Sequence, residues 1–300
     1  MNDKRIHLAV AQGTAALVVA VLSVITMASC SNKEGSDTPP ESSEQRQGRL
    51  NGGVEGTETL RHGDLSMTWI KDNRSIHKMP IERFTTGDGT STSPSKRPNE
   101  VLSSISTFLA ERDSMLMLFD TGLGGDASML VTRLIQLGVR PDDVTHIFLT
   151  HLHPDHIGGM MDGDRAVFAG AQVFCSQAEY DYWMSLPDDE AAQQKHTMAA
   201  YASSLQLFDF GDILPGGVLS INAVGHTPGH TAFLVGDILV VGDIIHGETL
   251  QINDPSICAT FDMDTAKAIL SRKTLIDFAA DNSLRMAGMH LADKGFIAFD

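Results

Sequence analysis

Beyond residue 60 the apolar positions fall in short runs that alternate with stretches of helical spacing, the pattern of an α/β chain. Strands are predicted over residues 65–70, 106–111, 115–119, 144–149, 171–175, 218–224, 231–235, 238–241 and 284–289. Two pairs read as hairpins, turning at Arg112-Asp113-Ser114 and at Gly236-Asp237. Residues 128–137, 177–186 and 189–205 read as helices, and Asp264 is the expected N-cap of a helix running to about Ala280. There is no close repeat. What recurs is placement, because the polar clusters sit just after apolar strands.

The first sixty residues follow other rules. Lys4 and Arg5 precede an apolar stretch over 8–28, the charged and hydrophobic regions of a secretory signal. The stretch ends Thr26-Met27-Ala28-Ser29-Cys30, which resembles a bacterial lipobox and implies cleavage before a lipidated Cys30. An uncleaved membrane-spanning helix is the competing reading, since roughly 20 apolar residues can cross a bilayer. Residues 30–59 hold almost no large apolar side chain and are expected to be a flexible tether. The expected layout is a signal peptide at 1–29, a tether at 30–59 and one folded domain at 60–300. Its expected location is the bacterial cell envelope, exported and held to a membrane by lipid on Cys30.

Composition narrows the partners. With 42% hydrophobic residues the 300-residue chain can bury a core, and 22 basic against 38 acidic residues gives a net charge of −16. A nucleic-acid groove needs clustered positive charge, so the expected partner is a small-molecule substrate and not nucleic acid. Cys30, Cys175 and Cys258 are too few and too scattered for a disulfide scaffold or a zinc ribbon. The histidines are more informative.

In His151-Leu152-His153-Pro154-Asp155-His156, three imidazoles and a carboxylate crowd the end of a predicted strand. Such groups repel or compete for solvent unless something organises them, and a divalent metal does so. His151 and His153, two apart, can point to one side of an extended backbone and bind one ion; Asp155 and His156, past the turn at Pro154, can face a second. Three further clusters follow: Gly225-His226-Thr227-Pro228-Gly229-His230, Gly242-Asp243-Ile244-Ile245-His246 and Gly288-Met289-His290. Each alone is also a good turn or strand end, and their order and spacing give them weight.

That order resembles the metallo-β-lactamase-fold hydrolases over essentially all of residues 62–300, and Asp120-Thr121-Gly122 resembles an early turn of the same family. The resemblance implies a four-layer αβ/βα sandwich, with two mixed sheets flanked by helices and the metals at one edge. It implies that His151, His153 and His226 hold one ion, that Asp155, His156 and His290 hold another, and that Asp243 bridges them. His230 would be structural or support a ligand. Nitrogen and oxygen donors favour two zinc ions, although iron, manganese and cobalt also accept such donors. Two ions sharing a water lower its pKa toward about 7 and polarise the electrophile, so a bridging hydroxide and hydrolysis are the expected chemistry. Asp155 and His246 are the candidate catalytic groups, the first to orient the nucleophile or shuttle a proton, the second to donate to the scissile oxygen.

Departures refine the expectation. Position 156 is His where one zinc β-lactamase class has Arg, and no cysteine replaces Asp243, so penicillin is not the expected substrate. The segments 104–109, 138–144 and 242–246 are most similar to the methyl parathion hydrolase and N-acyl-homoserine lactonase-like branch. Its lactonases carry a tyrosine where this chain has His246. The expected substrate is therefore a small ester, lactone or phosphotriester. The rivals are a homoserine lactonase specifically, a mononuclear iron persulfide dioxygenase and a non-catalytic metal-binding lipoprotein. Phe84, Tyr182 and Trp183 are candidates for an apolar substrate wall, and the polar loop 85–99 for a lid.

Overall fold

The computed structural model describes residues 53–87 and 99–299. The signal peptide, Cys30, the tether up to residue 52 and loop residues 88–98 lie outside the described residues. Among those described, no helix is long and apolar enough to cross a membrane.

Two sheets form the centre. The first contains seven strands in chain order: β1 (Thr57–His62), β2 (Leu65–Lys71), β3 (Ser106–Arg112), β4 (Met115–Phe119), β5 (His146–Phe148), β6 (Gln172–Ser176) and β7 (Leu205–Phe208). Strands β1 to β4 are antiparallel, and β4 to β7 are parallel. The second sheet contains β8 (Ile213–Leu214), β9 (Val218–Asn222), β10 (Thr231–Val235), β11 (Ile238–Val240), β12 (Arg285–Ala287) and β13 (Phe296–Ala298). All its pairs are antiparallel except β11 with β12.

Alternation along the strands builds the layers. On β4, Met117 and Phe119 enter a core shared with Phe233, Val240 and Ala287 of the second sheet. Leu116 and Leu118 point the other way, under Leu130 and Leu134 of helix α1 (Leu130–Gln136), Trp183 of α2 (Gln177–Ser185) and Met198 of α3 (Ala192–Ala200). On β11, Val240 faces the inter-sheet core, while Leu239 packs with Leu275 and Ala279 of α4 (Thr265–Asp281). Strands buried on both faces read as continuous apolar runs, which is why their sequences do not alternate. The result is the expected helix–sheet–sheet–helix sandwich.

Asp264 caps α4 as expected, its carboxylate accepting the Lys267 N–H. Three readings are corrected. The tether does not reach residue 59, because β1 starts at Thr57 and pairs with β2. The helix expected over 189–205 ends at Ala200, and Leu205 opens β7, paired beside β6. Phe84 is no substrate wall: it is fully buried, packed with Met79, Ile81, Val101, Leu250 and Ile257 where Phe84–Thr86 pairs with Ile257–Ala259.

Candidate metal centre

Strand direction brings the clusters together. Because β4 and β5 run parallel in one sheet, and β9, β11 and β12 run the same way in the other, Asp120, His151, His226, Asp243 and His290 emerge at one edge of the sandwich. Beyond β5 the chain bends at Thr150 and reaches His153, which is extended and precedes a short helix, Pro154–Ile157, opened by its proline. Leu152, between the two histidines, is fully buried in the core, so His151 and His153 turn to the same side.

Two donor sets share one carboxylate. His153 Nδ1 lies 3.0 Å from His151 Nε2 and 2.9 Å from His226 Nε2, and Asp243 Oδ2 is 3.2 Å from His226 Nε2. The other Asp243 oxygen, Oδ1, is 3.0 Å from His156 Nε2 and 3.1 Å from His290 Nε2. Asp155 completes that second set, with Oδ2 3.6 Å from His290 Nε2. Within each of the groups His151, His153, His226, Asp243 and Asp155, His156, His290, one atom per residue lies within 4.8 Å of every other, the spacing of a shared ion. Asp243, His246 and His290 form a third such group.

The polar inventory fits a cation. His156 Nε2 and Asp243 Oδ1 are buried without a hydrogen-bond partner among the described residues, in a chain whose other buried polar atoms are largely satisfied. Burial would raise the Asp243 carboxyl, but the facing imidazoles of His156, His290, His246 and His151 hold it well below the usual carboxylate range. Burial likewise acts against charge on His156, His226 and His290, and is outweighed by Asp243 and their other carboxylate neighbours, so His226 is pushed up to about 9. Burial wins at His151, well below its ordinary value, and at His153, down to about 3. In the metal-free chain, imidazolium protons thus balance the carboxylates, the task a divalent ion performs while displacing those protons.

His156, His226 and His290 are each oriented from behind by a group distant in sequence. His156 Nδ1 lies 2.7 Å from Asp120, which also accepts the N–H and hydroxyl of Thr150. His226 Nδ1 lies 3.0 Å from Asp262, itself 3.3 Å from the fully buried guanidinium of Arg272. His290 Nδ1 donates to the Ser104 carbonyl at 2.7 Å. Such outer partners fix which nitrogen is free for a metal. His230 stands outside both donor sets. Its Nδ1 donates to the Ala223 carbonyl at 3.1 Å and its Nε2 accepts the Asp243 N–H at 2.9 Å, so both nitrogens are used in holding the shared carboxylate.

The domain model described as metallo-beta-lactamase superfamily matches residues 101–290, a span that runs through both donor sets and all five strand ends. The chain belongs to the metallo-beta-lactamase superfamily. Among solved structures it is similar to the hydrolase AbOPH of the beta lactamase superfamily, at 25% identity and TM-score 0.69, over 82% of this chain and 98% of that one. It shares its fold with AidC, a dizinc quorum-quenching lactonase, at 23% identity and TM-score 0.70, over 80% and 92% of the two chains. By sequence it is 30% identical to the uncharacterized protein YobT of Bacillus subtilis over 157 residues, 49% of this chain and 63% of YobT. It is 42% identical to ribonuclease Z of Limosilactobacillus fermentum over 82 residues, 27% of this chain. The chain thus spans less than two thirds of YobT and 23% of that ribonuclease. These findings support a metallo-beta-lactamase superfamily fold carrying a histidine–carboxylate cluster that could hold divalent metal.

His246 is fully buried, with Nε2 3.0 Å from Asp243 Oδ2 and its ring stacked on His290 at 4.9 Å. Trp183 lies edge-on to His153 at 5.7 Å and is itself buried; Tyr182 packs against Trp183.

Proposed function

We propose that this chain is a dinuclear metal-dependent hydrolase of a small neutral ester, lactone or phosphotriester, exported and anchored through lipid on Cys30. One observation carries the reading: the two oxygens of buried Asp243 face different histidines, Oδ2 toward His226 and Oδ1 toward His156, with His290 Nε2 3.1 and 3.2 Å from the pair. A carboxylate placed between two donor sets offsets the mutual repulsion of two cations. His151, His153 and His226 would hold one ion, Asp155, His156 and His290 the other, with Asp243 between. Zinc suits nitrogen and oxygen donors of this kind. When bound, such a pair supplies an acidified water and polarises the substrate oxygen.

The protein groups do the rest. Asp155 has a 30% exposed side chain beside buried His156, so it is the carboxylate best placed to meet water and substrate and to hold a proton during turnover. His246 is held down to about 4 by burial, and its Nε2 lies 3.0 Å from Asp243 Oδ2, so the Nε2 proton is the one it would donate to a substrate oxygen at this carboxylate. The net charge of −16 favours a neutral or weakly charged substrate over RNA, the substrate class that the name ribonuclease Z brings to mind. The hydrolase and lactonase named among the structural neighbours support ester or lactone chemistry.

The test is metal analysis of the full-length protein with a panel of aryl esters, lactones including acyl-homoserine lactones, and phosphotriesters. Two zinc ions per chain and metal-dependent hydrolysis of one class are expected. A single iron with sulfite formation from a persulfide would overturn the proposal. Cys30→Ala should release the protein from the membrane fraction or leave its precursor uncleaved; unchanged processing and retention would refute the anchor.

A further inference from the structure

We propose that Glu179 is a positioning residue that sets the spacing of the two loops around the first ion; this rests on the metal-binding reading above. Glu179 is fully buried at the start of α2, where Ser176 accepts its N–H. Its Oε1 accepts the Leu152 N–H at 3.0 Å and the Trp183 indole N–H at 2.6 Å. Its Oε2 accepts the Thr227 hydroxyl at 2.7 Å and the Gly229 N–H at 2.9 Å. Leu152 lies between His151 and His153, and Thr227 follows His226. One carboxylate therefore grips both loops that supply the first donor set.

The grip leaves little slack. The Leu152 carbonyl accepts from Gln194 of α3 at 2.9 Å, and Ser176 donates to the Gly229 carbonyl at 2.7 Å, so each loop has one residue held through both its N–H and its C=O. A Cβ on Gly229 would lie 2.1 Å from the Glu179 nitrogen, so the turn rests directly on the helix start. Four donors fill the four acceptor sites of an ionised carboxylate, which a neutral side chain of the same shape cannot match. An amide must turn an NH₂ toward one of the two donor pairs. The Leu152 and Trp183 pair offers no group able to accept it, whereas the Thr227 hydroxyl can rotate to do so. Glu179→Gln should then free the Gly229 N–H and loosen the His226 loop while the His151–Leu152–His153 segment stays bound.

Hydrogen exchange on the metal-free full-length chain, read together with metal titration against a competing chelator, tests this. Glu179→Gln is expected to speed exchange at residues 226–230 and leave the β5 amides of Ile147 and Phe148 at the parent rate. It should also weaken one ion about 10–100-fold, the usual effect of removing a ligand's outer support, with the other unchanged. Thr227→Val, which keeps the β-branched shape and deletes one donor, should move both readouts the same way but less, and serves if Glu179→Gln does not fold. Parent-like exchange at 226–230 in Thr227→Val and in any folded Glu179→Gln overturns the positioning role, as does an equal rise everywhere, which would mark a purely global stabiliser. Exchange is decisive even if the parent binds no metal, an outcome that refutes the metal reading alone.

Discussion

Replacing Asp120 by asparagine isolates the proton placement on His156. Asp120 is fully buried at φ 57°, a conformation that asparagine tolerates as well as aspartate, so the backbone should not move. Its carboxylate accepts three donors: the Thr150 N–H at 2.8 Å, the Thr150 hydroxyl at 2.7 Å and His156 Nδ1 at 2.7 Å. Asparagine can keep the Thr150 N–H on its oxygen, but its NH₂ then faces His156 Nδ1. That nitrogen must become an acceptor, so the ring keeps its proton on Nε2, the atom beside Asp243 that a metal would need free. The variant loses one charge-assisted hydrogen bond and pays for the wrong tautomer, about 1.5–3 kcal/mol. At 1.4 kcal/mol per tenfold this is roughly 10–150-fold in affinity for the second ion, with the His151, His153, His226 set little changed. Chelator competition with stepwise metal addition measures the two affinities separately. Two affinities within threefold of the parent in a folded Asp120→Asn protein would refute this account of His156, whatever the effect on turnover.

Asp243→Asn keeps size and one oxygen but removes the charge between the two sets, so metal content should fall toward one ion per chain with the pH–rate profile moved to higher pH; two retained ions and an unshifted profile would make Asp243 a structural residue. His226→Ala should strip metal and activity by orders of magnitude, whereas His230→Ala should chiefly destabilise, by about 2–4 kcal/mol through a cavity and the unpaired Asp243 N–H, as read by denaturant unfolding. Equal metal loss in the two variants would reverse their roles. His230 is held down to about 3, first by burial and then by the charge of His226, so it stays neutral when folded and takes a proton on unfolding below pH 6.5. Its contribution is complete above that pH and falls as pH drops; at pH 5 the metal-free protein should have lost about 2 kcal/mol that a His230→Gln variant does not lose. Parallel pH–stability curves for the two proteins would contradict this.

The donor sets were legible along the chain because ligands for one ion come in short spacings. His151 and His153 are separated by one residue that the core claims, and His226, Asp243 and His290 each follow an apolar strand, so spacing and position marked the clusters, while the family resemblance sorted them into two sets. The α/β class was legible in the alternating runs, since continuous apolar strands must be covered on both faces, whereas the two-sheet sandwich was implied by the family resemblance. The strands with weak signal were not. The Thr57–His62 edge strand is half exposed, and Leu205–Phe208 is mixed in character, so each is a strand through pairing with its neighbour. Of the supporting groups only Asp120, in its Asp-Thr-Gly turn, stood out along the chain, and none showed which imidazole it serves. Asp120 backs His156 across 36 residues, Asp262 backs His226 across 36, Glu179 reaches Leu152 across 27, and Ser104 receives His290 across 186. A single acidic residue or serine in a loop looks alike whether it faces solvent or an imidazole. Periodicity and spacing are local properties that a linear chain displays; which carboxylate lies behind which histidine follows from the packing of two sheets and the parallel direction of their strands, and exists only once the chain has folded.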